Sequence, residues 1–117
     1  MARTILIVDD HPSFRTSARR VLEAGGFAVV GEAADGASGY AAARDLHPDV
    51  VLLDVGLPDA DGFRVAGCIN GLADPPSVVI VSSRDSSDFG PLVARCGARG
   101  FVAKADLSGA AVAALLP

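Results

Sequence analysis

The chain is 117 residues long, half of them apolar, with Tyr40 and five phenylalanines as its aromatic residues and a formal charge of −4. That length fits one domain over residues 1–117, with no output domain inside it. The negative balance argues against the domain itself gripping DNA or an anionic membrane, and the apolar run at residues 110–116 is far short of the ~20 residues that span a bilayer. Met1-Ala2-Arg3 runs straight into a strand pattern without the stretch of a signal peptide, so a cytoplasmic location is expected. Cys68 and Cys96 stand alone, without CxxC spacing or histidine partners, and are expected to be reduced thiols in the core. Nine of the ten basic residues are arginine, and the single lysine is Lys104.

Residues 4–9 (TILIVD) form a short apolar run of the kind buried on both faces of a parallel sheet, and it ends in acid at Asp9-Asp10. His11-Pro12 breaks it. Phe14, Ala18, Val21 and Leu22 then recur at helical spacing, with Arg15, Arg19 and Arg20 toward the other side as a solvated face. Gly25-Gly26 supplies the left-handed residue that stops this helix. Residues 27–33 read as a second strand. Asp35 is a candidate cap for a helix reaching Leu46, with Gly39, Tyr40, Ala43 and Leu46 as its inner stripe. His47-Pro48 closes that helix.

Val50 to Leu53 then lead into a lone acid, Asp54, at the carboxyl end of a third strand. The tail from Gly56 to Gly62 reads as a tight loop, with Asp61 able to cap a helix running to about Gly71. After the stiff Asp74-Pro75-Pro76 turn, residues 77–82 are a fourth strand ending in hydroxyls at Ser82-Ser83. Residues 85–90 are polar and turn-rich, and Pro91 fits only the first turn of a short helix reaching Cys96. Phe101-Val102-Ala103 is a fifth strand ending at Lys104. Asp106 is a candidate cap for a last helix ending near Leu116.

Five alternations of strand and helix imply an α/β fold, a doubly wound five-stranded parallel sheet. Right-handed crossovers put every strand's carboxyl end on one rim, where open sheets bind ligands. That rim collects Asp9, Asp10, Asp54, Ser82 and Lys104. Two carboxylates ~4 Å apart repel by about 4 kcal/mol at an effective dielectric near 20, so the cluster must hold a proton, a cation or both. Carboxylates with a backbone carbonyl suit Mg²⁺, while a hydroxyl and an ammonium suit phosphoryl oxygens. No GxxxxGK[ST] or GxGxxG cradle is present. What remains is an aspartate able to attack a phosphoryl group, helped by a metal and a lysine.

Blander roles stand beside these. Asp9 or Asp10 could cap the first helix, Lys104 could be a solvated strand end, Ser82 a turn former and Phe101 plain core. A compact ammonium in a chain that otherwise uses arginine favours the site reading for Lys104. His11 and His47 are expected at the surface or in turns, since two unclustered histidines make a poor metal site.

With Asp9-Asp10, Asp54 within LLDVGLPDADG, Ser82, and Phe101 three residues before Lys104, the chain resembles the receiver domain of two-component response regulators over residues 3–116. The resemblance implies a flavodoxin-like (βα)5 fold and a phosphoacceptor at Asp54 that takes phosphate from a partner histidine kinase or phosphotransfer protein. It further implies direct Mg²⁺ ligation by Asp10, Asp54 and the Gly56 carbonyl, with Asp9 acting mainly through water. Ser82 and Lys104 would contact the phosphoryl group, and Ser82 and Phe101 would form the switch toward the fourth helix, fifth strand and fifth helix. Such a domain is not an enzyme beyond its own phosphoryl transfer and dephosphorylation. His11-Pro12 and Gly97-Ala98-Arg99-Gly100-Phe101 also resemble receivers that carry a NarL/LuxR-type DNA-binding domain. DNA contact would then come only through an output domain absent from this chain, with homodimerisation on activation. Two other readings are a degenerate receiver acting by protein contact and a Mg²⁺-dependent phosphatase of the haloacid dehalogenase kind. The latter wants a second acid two residues after its nucleophile, where this chain has Gly56.

Overall fold

A computed structural model describes residues 2–83 and 89–117. Its strands are β1 (Thr4–Val8), β2 (Ala28–Ala33), β3 (Val50–Asp54), β4 (Ser77–Ser82) and β5 (Gly100–Ala103). They pair in parallel in the order β2-β1-β3-β4-β5. The helices are α1 (Pro12–Ala24), α2 (Gly36–Leu46), α3 (Gly62–Asn70), α4 (Gly90–Arg95) and α5 (Gly109–Ala113). This is the doubly wound parallel architecture, and its strand order reverses between β1 and β3, where the loops leave in opposite directions and open a crevice.

The period-two alternation of strand side chains explains the two layers. Leu6, Val8, Val51, Leu53 and Ile80 face one core, closed by α2 and α3 through Ala43, Val65, Ala66 and Ile69. Ile5, Ile7, Leu52, Val79 and Val81 face the other, closed by α1 and α5 through Ala18, Leu22 and Val112. All five residues of β3 are buried, which is why its sequence is a continuous apolar run rather than an alternating one. Edge strand β2 is mixed in burial and includes Glu32, whose carboxylate faces α1.

Most boundaries follow local chemistry. Gly26, at φ 96, is the left-handed residue ending the α1 turn. Asp35 caps α2 by accepting from the Ser38 amide at 2.7 Å, and Asp61 caps α3 by accepting from Phe63 at 2.8 Å. Gly39 lies against Val8 so closely that a Cβ would sit 2.7 Å from Val8 Cγ1, the tight helix–sheet approach its small stripe implied.

Three expectations are corrected. Asp106 does not cap the last helix: Lys104–Asp106 form a 3-10 turn, and the Ser108 hydroxyl accepts from Ala111 at 3.0 Å to start α5, which ends at Ala113. Leu46 is not part of the inner stripe of α2 but is 48% exposed, because the helix ends there with His47 in the left-handed region. Nor is Cys68 a core thiol, since it lies on the exposed side of α3; Cys96, half-buried at the end of α4, does pack against the core. The short α4 matches the break set by Gly90-Pro91, and none of its residues is buried. The turn-rich reading of residues 85–90 falls mostly outside the described residues. No described helix is long and apolar enough to cross a membrane.

Candidate functional site

The carboxyl ends of β1, β3, β4 and β5 converge on one cleft of about 400 Å³, lined among others by His11, Asp54, Gly56, Ser82, Phe89 and Lys104. Asp54 ends β3 with only 4% of its surface exposed. Its loop is shaped to leave that carboxylate at the cleft. Gly56 and Asp61 bridge the loop's two arms, and the Gly62 amide donates to the Val55 carbonyl at 3.1 Å. Gly62 must be glycine here: a Cβ would lie 2.5 Å from Val55 Cα and closer still to the Asp54 carbonyl oxygen. Asp59 ties the loop to α2, accepting from Gly36 at 2.7 Å and Ala37 at 3.0 Å. These two orphan amides of the helix terminus are thus satisfied from a neighbouring loop.

Asp9 is fully buried, and each of its polar atoms is engaged. Its amide donates to Ala33 at 3.0 Å, extending the β1–β2 ladder. Oδ1 accepts from the His11 amide at 2.8 Å, and Oδ2 lies 2.7 Å from the Lys104 ammonium. Its carbonyl accepts from Arg15 Nη1 at 2.6 Å. Lys104 stands between the acids, 3.7 Å from Asp54 Oδ2 and 4.5 Å over the centroid of the Phe14 ring, a cation–π contact that holds the ammonium in place. Burial pushes the Asp54 carboxyl above the usual carboxylate range and the charge of Asp9 adds to that shift, while Lys104 and the Gly56 amide oppose it.

Asp9, Asp10, His11 and Asp54 each present one ligand atom, all within 4.8 Å of one another. Asp10 Oδ1 is buried with no hydrogen bond among the described residues, while Asp9 Oδ2 is taken up by the Lys104 ion pair. A buried carboxylate oxygen left without a hydrogen bond, in a cluster of three acids, fits a hard divalent cation such as Mg²⁺.

The sequence profile of the response regulator receiver domain matches residues 5–113. The chain belongs to that family. Among its relatives is the Bordetella pertussis virulence-factor positive transcription regulator BvgA, 38% identical over 104 residues, which are 89% of this chain and 50% of that protein. The transcriptional regulatory protein NarL of Mycobacterium tuberculosis is 37% identical over 101 residues, 86% of this chain and 47% of that one. The receiver domain structure of M. tuberculosis NarL superposes with a TM-score of 0.86 at 32% identity, covering 97% of this chain and 96% of that chain. A LuxR-family two-component response regulator from Aurantimonas gives 0.87 at 33%, covering 98% and 86%. The receiver spans about half the length of the curated relatives it matches.

The fold brings together every rim residue singled out in the sequence: Asp9, Asp10, Asp54, Gly56, Ser82 and Lys104. Ser82 is buried at the end of β4, in register with Ala103 and on the cleft wall. Phe101 is half-buried on β5, its ring centroid 6.1 Å from that of Phe89. Phe89 in turn lies 5.4 Å from Phe63, so a row of three tilted rings runs from the cleft wall at Phe63 and Phe89 to Phe101, which sequence spacing did not show.

One expectation stands with an addition and another needs correcting. His11 is at the surface as expected, with its side chain 62% exposed, yet its Nδ1 lies 3.0 Å from Asp9 Oδ1 and 3.2 Å from Asp10 Oδ1. Its place directly after the acid pair was the available signal. Arg15 and Arg19 are not simply a solvated face: both reach across to Glu32 on β2, at 3.2 and 2.8 Å. A lone acid on a mixed edge strand was the cue for that pairing.

Proposed function

We propose that this receiver is a phosphoacceptor whose nucleophile is Asp54. The observation that carries the reading is a buried carboxylate facing an open cleft with the Lys104 ammonium 3.7 Å from its Oδ2. An Asp54 carboxylate oxygen would attack the phosphorus of a phosphohistidine on a histidine kinase or phosphotransfer protein. The P–N bond breaks, the imidazole leaves and takes up a proton, and an acyl phosphate remains on Asp54. Lys104 would neutralise charge gathering on the transferred oxygens, and the Ser82 hydroxyl would donate to one of them.

Asp10, Asp54 and the Gly56 carbonyl would hold Mg²⁺ directly. Asp9, already committed to His11 and Lys104, suits a role through water. When bound, the ion supplies charge neutralisation among the three acids and orients the phosphoryl oxygens. The fold offers no second acid two residues beyond Asp54, only Gly56, so turnover of small phosphate esters is not expected.

Once phosphorylated, Asp54 gains negative charge and acceptor oxygens. Drawing Ser82 inward would make room for Phe101 and move the rings of Phe89 and Phe63 packed beyond it. The surface of α4, β5 and α5 would then change and favour a homodimer, a population shift between two forms. Since BvgA and NarL are transcription regulators, the whole protein's output would be control of transcription through a separate DNA-binding domain, in the cytoplasm. Intact-mass measurement after incubation with acetyl phosphate and Mg²⁺ tests the nucleophile. One phosphoryl adduct is expected on the wild type and none on a folded Asp54→Asn variant; equal labelling of both would refute the assignment.

A further inference from the structure

Asp10 is the proposed metal ligand with the least to hold it in place. Its Oδ1 accepts no hydrogen bond among the described residues, and the exposed His11 ring lies beside it with Nδ1 at 3.2 Å. Where its carboxylate lies must therefore be set by the backbone as it leaves β1. The Asp9 carbonyl belongs to the same planar peptide unit as the Asp10 amide, so fixing that carbonyl fixes the direction in which Asp10 departs. The group that fixes it is the Arg15 guanidinium, through the 2.6 Å bond from Nη1.

Arg15 is itself held from the other side. Its Nε pairs with Glu32 Oε1 at 3.2 Å, and Glu32 Oε2 is occupied by Arg19 Nε at 2.8 Å. The planar fork thus spans from β2 to the end of β1, doing two jobs that a point-charge ammonium cannot do at once.

We propose that Arg15 is a positioning residue for the metal site: a clamp, anchored on Glu32, that aims Asp10 through the Asp9–Asp10 peptide. This rests on the reading of Asp10 as a Mg²⁺ ligand. The clamp makes a prediction opposite in sign to that of simple electrostatics. As a mere positive charge beside three acids, Arg15 weakens cation binding, and its removal tightens it. As a clamp it strengthens binding, and its removal weakens it. Losing an outer partner of a metal ligand costs ten- to a hundredfold in affinity, and about tenfold is expected here because Asp54 and Gly56 keep their own supports.

The test is a Mg²⁺ titration followed by amide chemical shifts on wild type, Arg15→Met, Arg15→Lys and Asp10→Ala, with melting curves to confirm folding. The clamp predicts about tenfold weaker binding for Arg15→Met and clear weakening for Arg15→Lys, which keeps the charge but loses the fork. Wild-type affinity in Arg15→Lys, or unchanged or tighter binding in Arg15→Met, would overturn the clamp alone. If Asp10→Ala bound Mg²⁺ as well as wild type, or wild type bound none, the metal reading would fall and the clamp with it. Should Arg15→Met not fold, the lysine variant decides between charge and geometry by itself.

Discussion

Without a divalent cation the receiver should be more stable with Asp54 neutral than charged. In the native state Asp54 lies within 4.8 Å of ligand atoms on Asp9 and Asp10, and 3.7 Å from the Lys104 ammonium. At an effective dielectric near 20, each repulsion at the outer separation is worth about 3.5 kcal/mol and the attraction about 4.5, which leaves about 2.5 kcal/mol unfavourable. Water at the open cleft reduces that to about 1–2 kcal/mol. Asp54→Asn removes the charge and keeps the shape, so in metal-free buffer at neutral pH its melting temperature should rise by roughly 4–8 °C for a domain of this size. The pH dependence follows from linkage. Because the native Asp54 carboxyl is held above its ordinary value, the native state binds more protons than the unfolded chain between the two pKa values. Wild-type stability therefore falls as pH rises through that window. The advantage of Asp54→Asn should vanish below the unfolded carboxylate range and be complete above the native value. Saturating Mg²⁺ should narrow or reverse it, since the ion stabilises only the form that binds it. Scanning calorimetry from pH 4 to 8, with and without Mg²⁺, reads all of this. A lower melting temperature for Asp54→Asn in metal-free buffer at neutral pH would refute the repulsive-cluster picture.

Other outcomes are equally specific. Lys104→Ala strips the buried Asp9 Oδ2 of its cation and should cost roughly 3 kcal/mol in urea unfolding, while slowing acetyl phosphate labelling by about a hundredfold; wild-type labelling would deny Lys104 a role at the phosphoryl group. Gly62→Ala drives a methyl into the Asp54 carbonyl and Val55, and should destabilise by about 1–3 kcal/mol in the same assay. Phe89→Ala empties the space between Phe63 and Phe101 and should cost about 3 kcal/mol. It should also shift the aromatic resonances of Phe101, and unchanged spectra would mean that the rings are not coupled.

What the sequence disclosed and what it hid divide on physical lines. The apolar runs ending in Asp9, Asp54, Ser82 and Lys104 were readable because a strand buried on both faces admits little but apolar residues, so a polar residue marks its end. The strand order then placed those ends around the β1/β3 crevice. Contacts that depend on how far a long side chain reaches were not readable. Helical spacing put Arg15 and Arg19 on an outer face, yet both extend to Glu32 on a neighbouring strand. His11 was discounted for lack of a sequence cluster, but the turn after β1 folds its ring back on the acid pair. The end of α2 at Leu46 was legible, but the place of Leu46 on the inner stripe was not: His47 takes a left-handed backbone immediately after it, which leaves the leucine exposed. Asp106 looked like a cap by residue type, but the 3-10 turn moved the start of α5 two residues on, to the Ser108 cap.

The central claim, that Asp54 is the residue that carries phosphate, is tested most directly by locating the modification. Borohydride reduction of the acetyl phosphate-treated protein converts an aspartyl phosphate to the corresponding alcohol, which peptide mass spectrometry assigns to a position. Phosphorylation of Asp54 predicts that change at position 54 alone, dependent on Mg²⁺ and absent from Lys104→Ala at matched short times. No reduction product, or one at Asp9, Asp10 or any residue outside the cleft, would contradict it.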